Sequence, residues 1–177
     1  MKSSMNRVFF KALSLVAIFG LVISAGSAQQ AHAQEVQKVV VVVNQANNLS
    51  SISVSNLSDV FLKEKGSVDG QDLKPINYSL GSPARTLFDK TVHDMSQSNM
   101  EQYWNEKKVS GGGTAPSEQG SAAPLLMLLT RSQQAIGYVP ASEWSQDQYG
   151  SSLKVLDIEK NGNTYGPDSS EYPLKSK

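Results

Sequence analysis

Lys38 to Val43 reads KVVVVV, an uninterrupted β-branched run. Side chains of this kind are stiff at χ1 and favour an extended backbone. A strand with one face in water would alternate apolar with polar residues. This one does not, as expected of a strand buried on both faces of its sheet. Such a strand needs a packed layer on either side, and the segments that follow have mostly helical periodicity. The run, taken with the order of strands and helices that follows, predicts an α/β fold: a three-layer sandwich, a mostly parallel sheet with helices on both faces.

The remaining elements can be placed in order. Asn44 to Ser51 is polar and Asn-rich, hence a loop; Asn48-Leu49-Ser50 and Asn56-Leu57-Ser58 both fit the glycosylation sequon. Ser55 or Asn56 caps a short helix whose Leu57, Val60 and Phe61 face inward, and Gly66 ends it. Asp69-Gly70 then turns the chain into a strand at Lys74 to Tyr78.

A tight corner follows that strand. Gly81 lets the backbone turn sharply, Ser82 is a preferred N-cap residue, and Pro83 suits the first helical position, where its missing N–H costs nothing. Behind it Ala84, Leu87, Phe88, Val92 and Met95 repeat at helical spacing. A strand feeding a helix this way aims free N–H groups and the positive helix end at one point, which suits an anion. Arg85, in the first turn, is placed to add a charge-assisted contact. The alternative is an i,i+4 surface pair with Asp89.

Further on, Ser98-Asn99-Met100-Glu101 matches a capping box that opens a helix with Met100, Tyr103 and Trp104 on its apolar side. Trp104 is read as core. Ser110 to Gln119 is a flexible loop whose three glycines, Gly111 to Gly113, form either a plain linker or a backbone nest for an anion. Ser121 caps a helix in which Ala122 to Leu129 is apolar almost all round and is expected to be buried. Ala135 to Val139 and Leu153 to Ile158 read as strands, giving the order β-α-β-α-α-α-β-β.

The ends of the chain carry signals of their own. Lys2, Arg7 and Lys11 precede an apolar run from Ala12 to Ala25, and Ala31-His32-Ala33 supplies small residues at both positions a signal peptidase reads. Residues 1–33 are expected to be a signal peptide, with cleavage after Ala28 as the competing site. Residues 34–158 form one domain, and the polar residues 159–177 are expected to be a flexible tail. With no cysteine there is neither a lipid attachment site of the lipoprotein kind nor a disulfide. The product should be exported, soluble and free of disulfides. Losing three basic residues lowers Lys+Arg from 16 to 13 against 16 acidic residues, a net charge of about −3. Nucleic acid and anionic lipid are poor partners for such a surface.

Catalytic constellations are mostly absent. Beyond residue 33 the only histidine is His93, read as an exposed residue on the polar side of its helix. No nucleophile elbow, Walker loop or dinucleotide fingerprint occurs. One histidine and no cysteine make a zinc or copper site improbable. The chain is read as a non-enzyme with no cofactor, no metal and no catalytic residues.

VSNLSDVFLKEKG, the corner GSPARTLF after a strand, the Gly-rich loop and QQAIGYVP stand in this order. Together they resemble the periplasmic phosphate-binding proteins of ABC transporters, specifically one lobe of that type II binding-protein fold, over about Lys38 to Ile158. The resemblance implies a phosphate (or similar oxyanion) binding module, with Gly81, Ser82 and Arg85 as ligand-binding residues. In full-size members the corner reads Gly-Ser-Gly-Thr after a strand arginine. Here Gly81 and Ser82 match, Pro83 and Ala84 replace the second glycine and the threonine, Tyr78 stands in the arginine's place, and Arg85 supplies the charge from the helix side. A lone lobe would need an envelope protein or a second copy to complete the site. The alternative is an envelope interaction or accessory protein on the same scaffold, with ligand binding lost.

Overall fold

The computed structural model describes residues 36–176, so the expected signal peptide lies outside the described residues. The valine run forms β1 (Val39–Asn44), followed by β2 (Ser51–Ser53), α1 (Val54–Phe61), β3 (Ser67–Val68), β4 (Gln71–Asp72) and β5 (Lys74–Tyr78). Next come α2 (Pro83–Phe88), which widens into a π-helical turn at Asp89–His93, then α3 (Gln97–Val109), β6 (Ser117–Gln119), α4 (Ala122–Arg131) and β7 (Ala135–Pro140). A 3₁₀ turn at Ala141–Glu143 precedes α5 (Gln146–Tyr149), β8 (Leu153–Val155), β9 (Asp157–Lys160) and β10 (Asn163–Tyr165).

All five valines of β1 are buried, as their pattern requires. The main sheet has the order β6-β5-β7-β1-β8. β5 runs parallel to β6 and β7, whereas β1 is antiparallel to both β7 and β8, with Val41 opposite Tyr138. The sheet is therefore mixed, and the parallel arrangement read from the sequence is confined to β6-β5-β7. A valine run buried on both faces presents the same side chains in either direction, so its pattern carries no information about pairing sense.

Helices cover both faces. Successive side chains of β7 point to opposite sides. Gly137 lies beneath α4, where an added Cβ would come within 2.9 Å of Leu125 Cδ2. Tyr138 points the other way and stacks on Phe88 with ring centroids 3.8 Å apart, while Phe61 tilts against Phe88 at 4.7 Å. Thus α4 packs on one side and α1 with α2 on the other, which is the expected sandwich. Leu125, Leu126 and Leu129 of α4 are buried, but Met127 is half exposed. A helix on an outer layer keeps a wet side even where its sequence is apolar all round.

Two helix starts lie upstream of the residues expected from the sequence. Ser53 Oγ accepts the Asn56 N–H to cap α1, and Ser96 Oγ accepts the Asn99 N–H to cap α3, in place of Ser98. Ser121 holds the N-cap position of α4, but its side chain makes no capping bond.

Residues 159–176 are folded, against the expectation of a flexible tail. Asn161 and Gly162 both take positive φ and close a hairpin between β9 and β10, a turn chemistry that the polar composition hid. β9 also pairs in parallel with β2. Beyond them, Tyr172 and Leu174 are fully buried. The Val39 N–H donates to Leu174 O at 3.0 Å, and the Ser176 N–H donates to Gln37 O at 2.8 Å. This segment lines the part of β1 that β8 does not reach. Two apolar anchors suffice when the backbone between them is bonded to the central sheet.

Candidate functional site

The corner forms as its residues dictate. The Ser82 N–H donates to Ser79 O at 3.1 Å, and Gly81 sits between them at φ +81°. An added Cβ at Gly81 would also meet Gln97 Oε1 at 3.1 Å, so glycine is favoured by both conformation and space. Ser82 is extended, and its Oγ accepts the Arg85 N–H at 3.3 Å, with Pro83 at the first helical position. Gly81, Ser82 and Arg85 are thus adjacent, as the sequence implies.

Arg85 is neither open to solvent nor part of a surface pair. Its side chain is 2% exposed. Nε lies 2.8 and 2.7 Å from the two Asp89 carboxylate oxygens, so the i,i+4 pair exists, but inside the protein. Nη1 donates to Tyr78 O at 3.1 Å and approaches Glu118 Oε1 at 3.4 Å. A helical arginine therefore reaches back and ties the end of β5 to the first turn of α2.

Asp89 extends this arrangement. Burial pushes its pKa up to about 6, opposed by the Arg85 guanidinium and reinforced by the nearby charge of Glu118. Within the same π-helical turn the side chain of His93 is only 2% exposed, which corrects its reading as an exposed residue. Its Nε2 lies 3.9 Å from Asp89 Oδ1, its Nδ1 is hydrogen-bonded to Ser58 Oγ of α1 at 2.9 Å, and its ring meets Phe88 edge-on. Burial, with the Arg85 charge adding to it, lowers the His93 pKa to about 4. At neutral pH the histidine is uncharged and Asp89 is mostly ionised. A second polar chain lies on the strand side. Tyr138 hydroxyl donates to Asn77 Oδ1 at 3.1 Å and accepts the Tyr78 N–H at 3.4 Å.

This geometry limits the chemistry. The charge of Arg85 is offset by Asp89, and Glu118 puts a second carboxylate beside Nη1. The Ser82 hydroxyl hydrogen, the Ala84 N–H, which has no intrahelical acceptor, and Nη2 of Arg85 take no part in these bonds, and both Ala84 and Arg85 are buried. In the glycine loop the Gly111 and Gly112 N–H groups are already used, donating to Lys108 O and Lys107 O at the end of α3. Among the described residues no group of three or more His, Asp or Glu is placed to hold a metal ion. No helix among them is long and apolar enough to cross a membrane. Asp89 was legible as the i,i+4 neighbour of Arg85. Ser58 and Glu118 were not, because only the tertiary fold brings α1 and β6 to this point.

No family model and no curated protein matches the chain. Solved structures do. An ABC-type phosphate transport receptor from Vibrio cholerae is 16% identical with a TM-score of 0.56, over 78% of this chain and 53% of that one. PstS from Borrelia burgdorferi is 15% identical with a TM-score of 0.59, over 78% and 54%. A candidate phosphate ABC transporter substrate-binding protein from Clostridium perfringens, solved with bound phosphate, is 12% identical with a TM-score of 0.52, over 75% and 48%. This chain spans about half the length of each, and at such identities the likeness is one of fold. These neighbours are binding proteins rather than enzymes. The chain resembles a single lobe of a phosphate ABC transporter substrate-binding protein.

Proposed function

We propose that the protein is an exported, periplasmic, non-enzymatic binding module that takes phosphate or a similar small oxyanion at Gly81, Ser82 and Arg85. The observation that carries this reading is Arg85 itself: a guanidinium held rigidly at the strand–helix corner, in a chain with the fold of phosphate receptors. Two or three charge-assisted bonds at ~1.5–3 kcal/mol each and ~0.3–1 kcal/mol from the helix end sum to roughly 4–8 kcal/mol before association costs. Those costs are several kcal/mol. A one-sided site is therefore a millimolar binder at best. The Glu118 carboxylate weakens it further, so tight capture needs a second wall from an envelope partner or another copy.

The neutralised charge of Arg85 favours a second reading, an envelope interaction protein on the same scaffold. Thermal unfolding of the protein lacking residues 1–33, titrated with phosphate and sulfate, separates the two. A site of about 1 mM gives roughly 2 kcal/mol of stabilisation at 30 mM ligand by mass action. Glu118→Gln, a change at a half-exposed position, should enlarge that response. If neither protein responds, the oxyanion reading fails and the interaction reading takes its place. The intact mass of protein recovered from the cell envelope tests the export: it should lack residues 1–33.

A further inference from the structure

A cleft of about 590 Å³ lies between the α2 helical segment and the C-terminal residues, and none of its lining residues belongs to the Gly81–Ser82–Arg85 corner. Its volume is in the range of small-molecule sites. The floor is apolar: Tyr172 is buried, and Leu87 and Pro173 are only partly covered. The rim is charged and exposed. Lys90 comes from the π-helical turn, Lys160 from the end of β9 and Lys175 from the last described turn of chain, so three separate segments bring exposed lysines to one cleft.

Two rim carboxylates, Asp94 and Glu171, leave the opening with a net positive charge. None of the three lysines forms an ion pair among the described residues; Lys175 Nζ donates to Ser170 O instead. Exposed ammonium groups above partly covered apolar surface match a ligand with an acidic head and an apolar body. We infer that this cleft binds an anionic amphiphile of small-molecule size, its carboxylate or phosphate head at Lys90, Lys160 and Lys175 and its apolar part against Leu87 and Pro173.

The experiment is calorimetric titration of the protein lacking residues 1–33, at ligand concentrations below micelle formation. The probes are decanoate, decyl phosphate and, as the uncharged control, decanol. Saturable 1:1 binding of at least one anion, with decanol at least tenfold weaker, is the expected result. Preference between the two anions identifies the head group. Lys90→Ala combined with Lys160→Ala should weaken binding about fivefold or more, since each exposed ion pair accounts for up to about fivefold. Both positions are exposed, so the fold should tolerate the changes; an unchanged far-UV spectrum checks this. Leu87→Asp provides a second arm that acts on the apolar floor. Absence of saturable binding, equal binding of decanol, or binding indifferent to the lysines and to Leu87→Asp would overturn the inference. Inorganic phosphate read out at Glu118→Gln is independent of all three probes, so failure here leaves the oxyanion corner untouched, and the reverse.

Discussion

Asp89 and His93 sit on one helical turn with pKa shifts of opposite sign, and their opposition makes a sharp prediction about stability and pH. Burial raises Asp89 from 3.8 to about 6, so between those values the folded protein holds a proton that the unfolded chain has released. Stability from this group therefore falls as pH rises through that window. Burial lowers His93 from 6.5 to about 4, so between 4 and 6.5 the unfolded chain holds the extra proton. Stability from this group rises with pH over nearly the same range. At 1.36 kcal/mol per unit, each effect amounts to about 3 kcal/mol and the two nearly cancel. Urea unfolding at half-unit steps from pH 4 to 7 would measure this. Relative to the wild type, His93→Gln should gain about 3 kcal/mol as the pH falls from 6.5 to 4, whereas Asp89→Asn should lose a similar amount. Titrating groups away from this turn are common to the three proteins and drop out of the comparison. Parallel curves for wild type and His93→Gln would refute the buried, neutral histidine and the reasoning built on it.

Two further substitutions probe the packing directly. Arg85→Ala should destabilise the protein by about 3–5 kcal/mol, because it leaves the buried Asp89 carboxylate without its partner, and adding Asp89→Asn should restore part of that loss; a single-mutant cost under about 1 kcal/mol by urea unfolding would contradict the buried pair. Tyr172→Ala should cost about 3–5 kcal/mol for an aromatic ring removed from a fully enclosed site. A melting temperature unchanged by Tyr172→Ala would return residues 159–177 to the status of a detachable tail.

The sequence by itself determined what depends on neighbours along the chain. The valine run required burial on both faces, and that requirement alone implied layers on either side of the sheet. The Gly81-Ser82-Pro83 corner was equally local: a positive φ, a capping hydroxyl and an absent N–H each belong to one residue. Other features were decided only by tertiary structure. The direction of β1 depends on which strands reach it, since its valines look alike from either end. Segments rich in serine and asparagine offer several capping hydroxyls of equal quality, so Ser53 and Ser96 were chosen by where α1 and α3 meet the rest of the fold. The last residues look disordered by composition, yet Tyr172 and Leu174 find a finished sheet to pack on, and a polar sequence does not reveal that such a surface awaits it. The same holds for Arg85. Its spacing to Asp89, which offsets its charge, was visible in the chain, but its burial and its approach to Glu118 on β6 were not, because β6 comes from a distant part of the sequence.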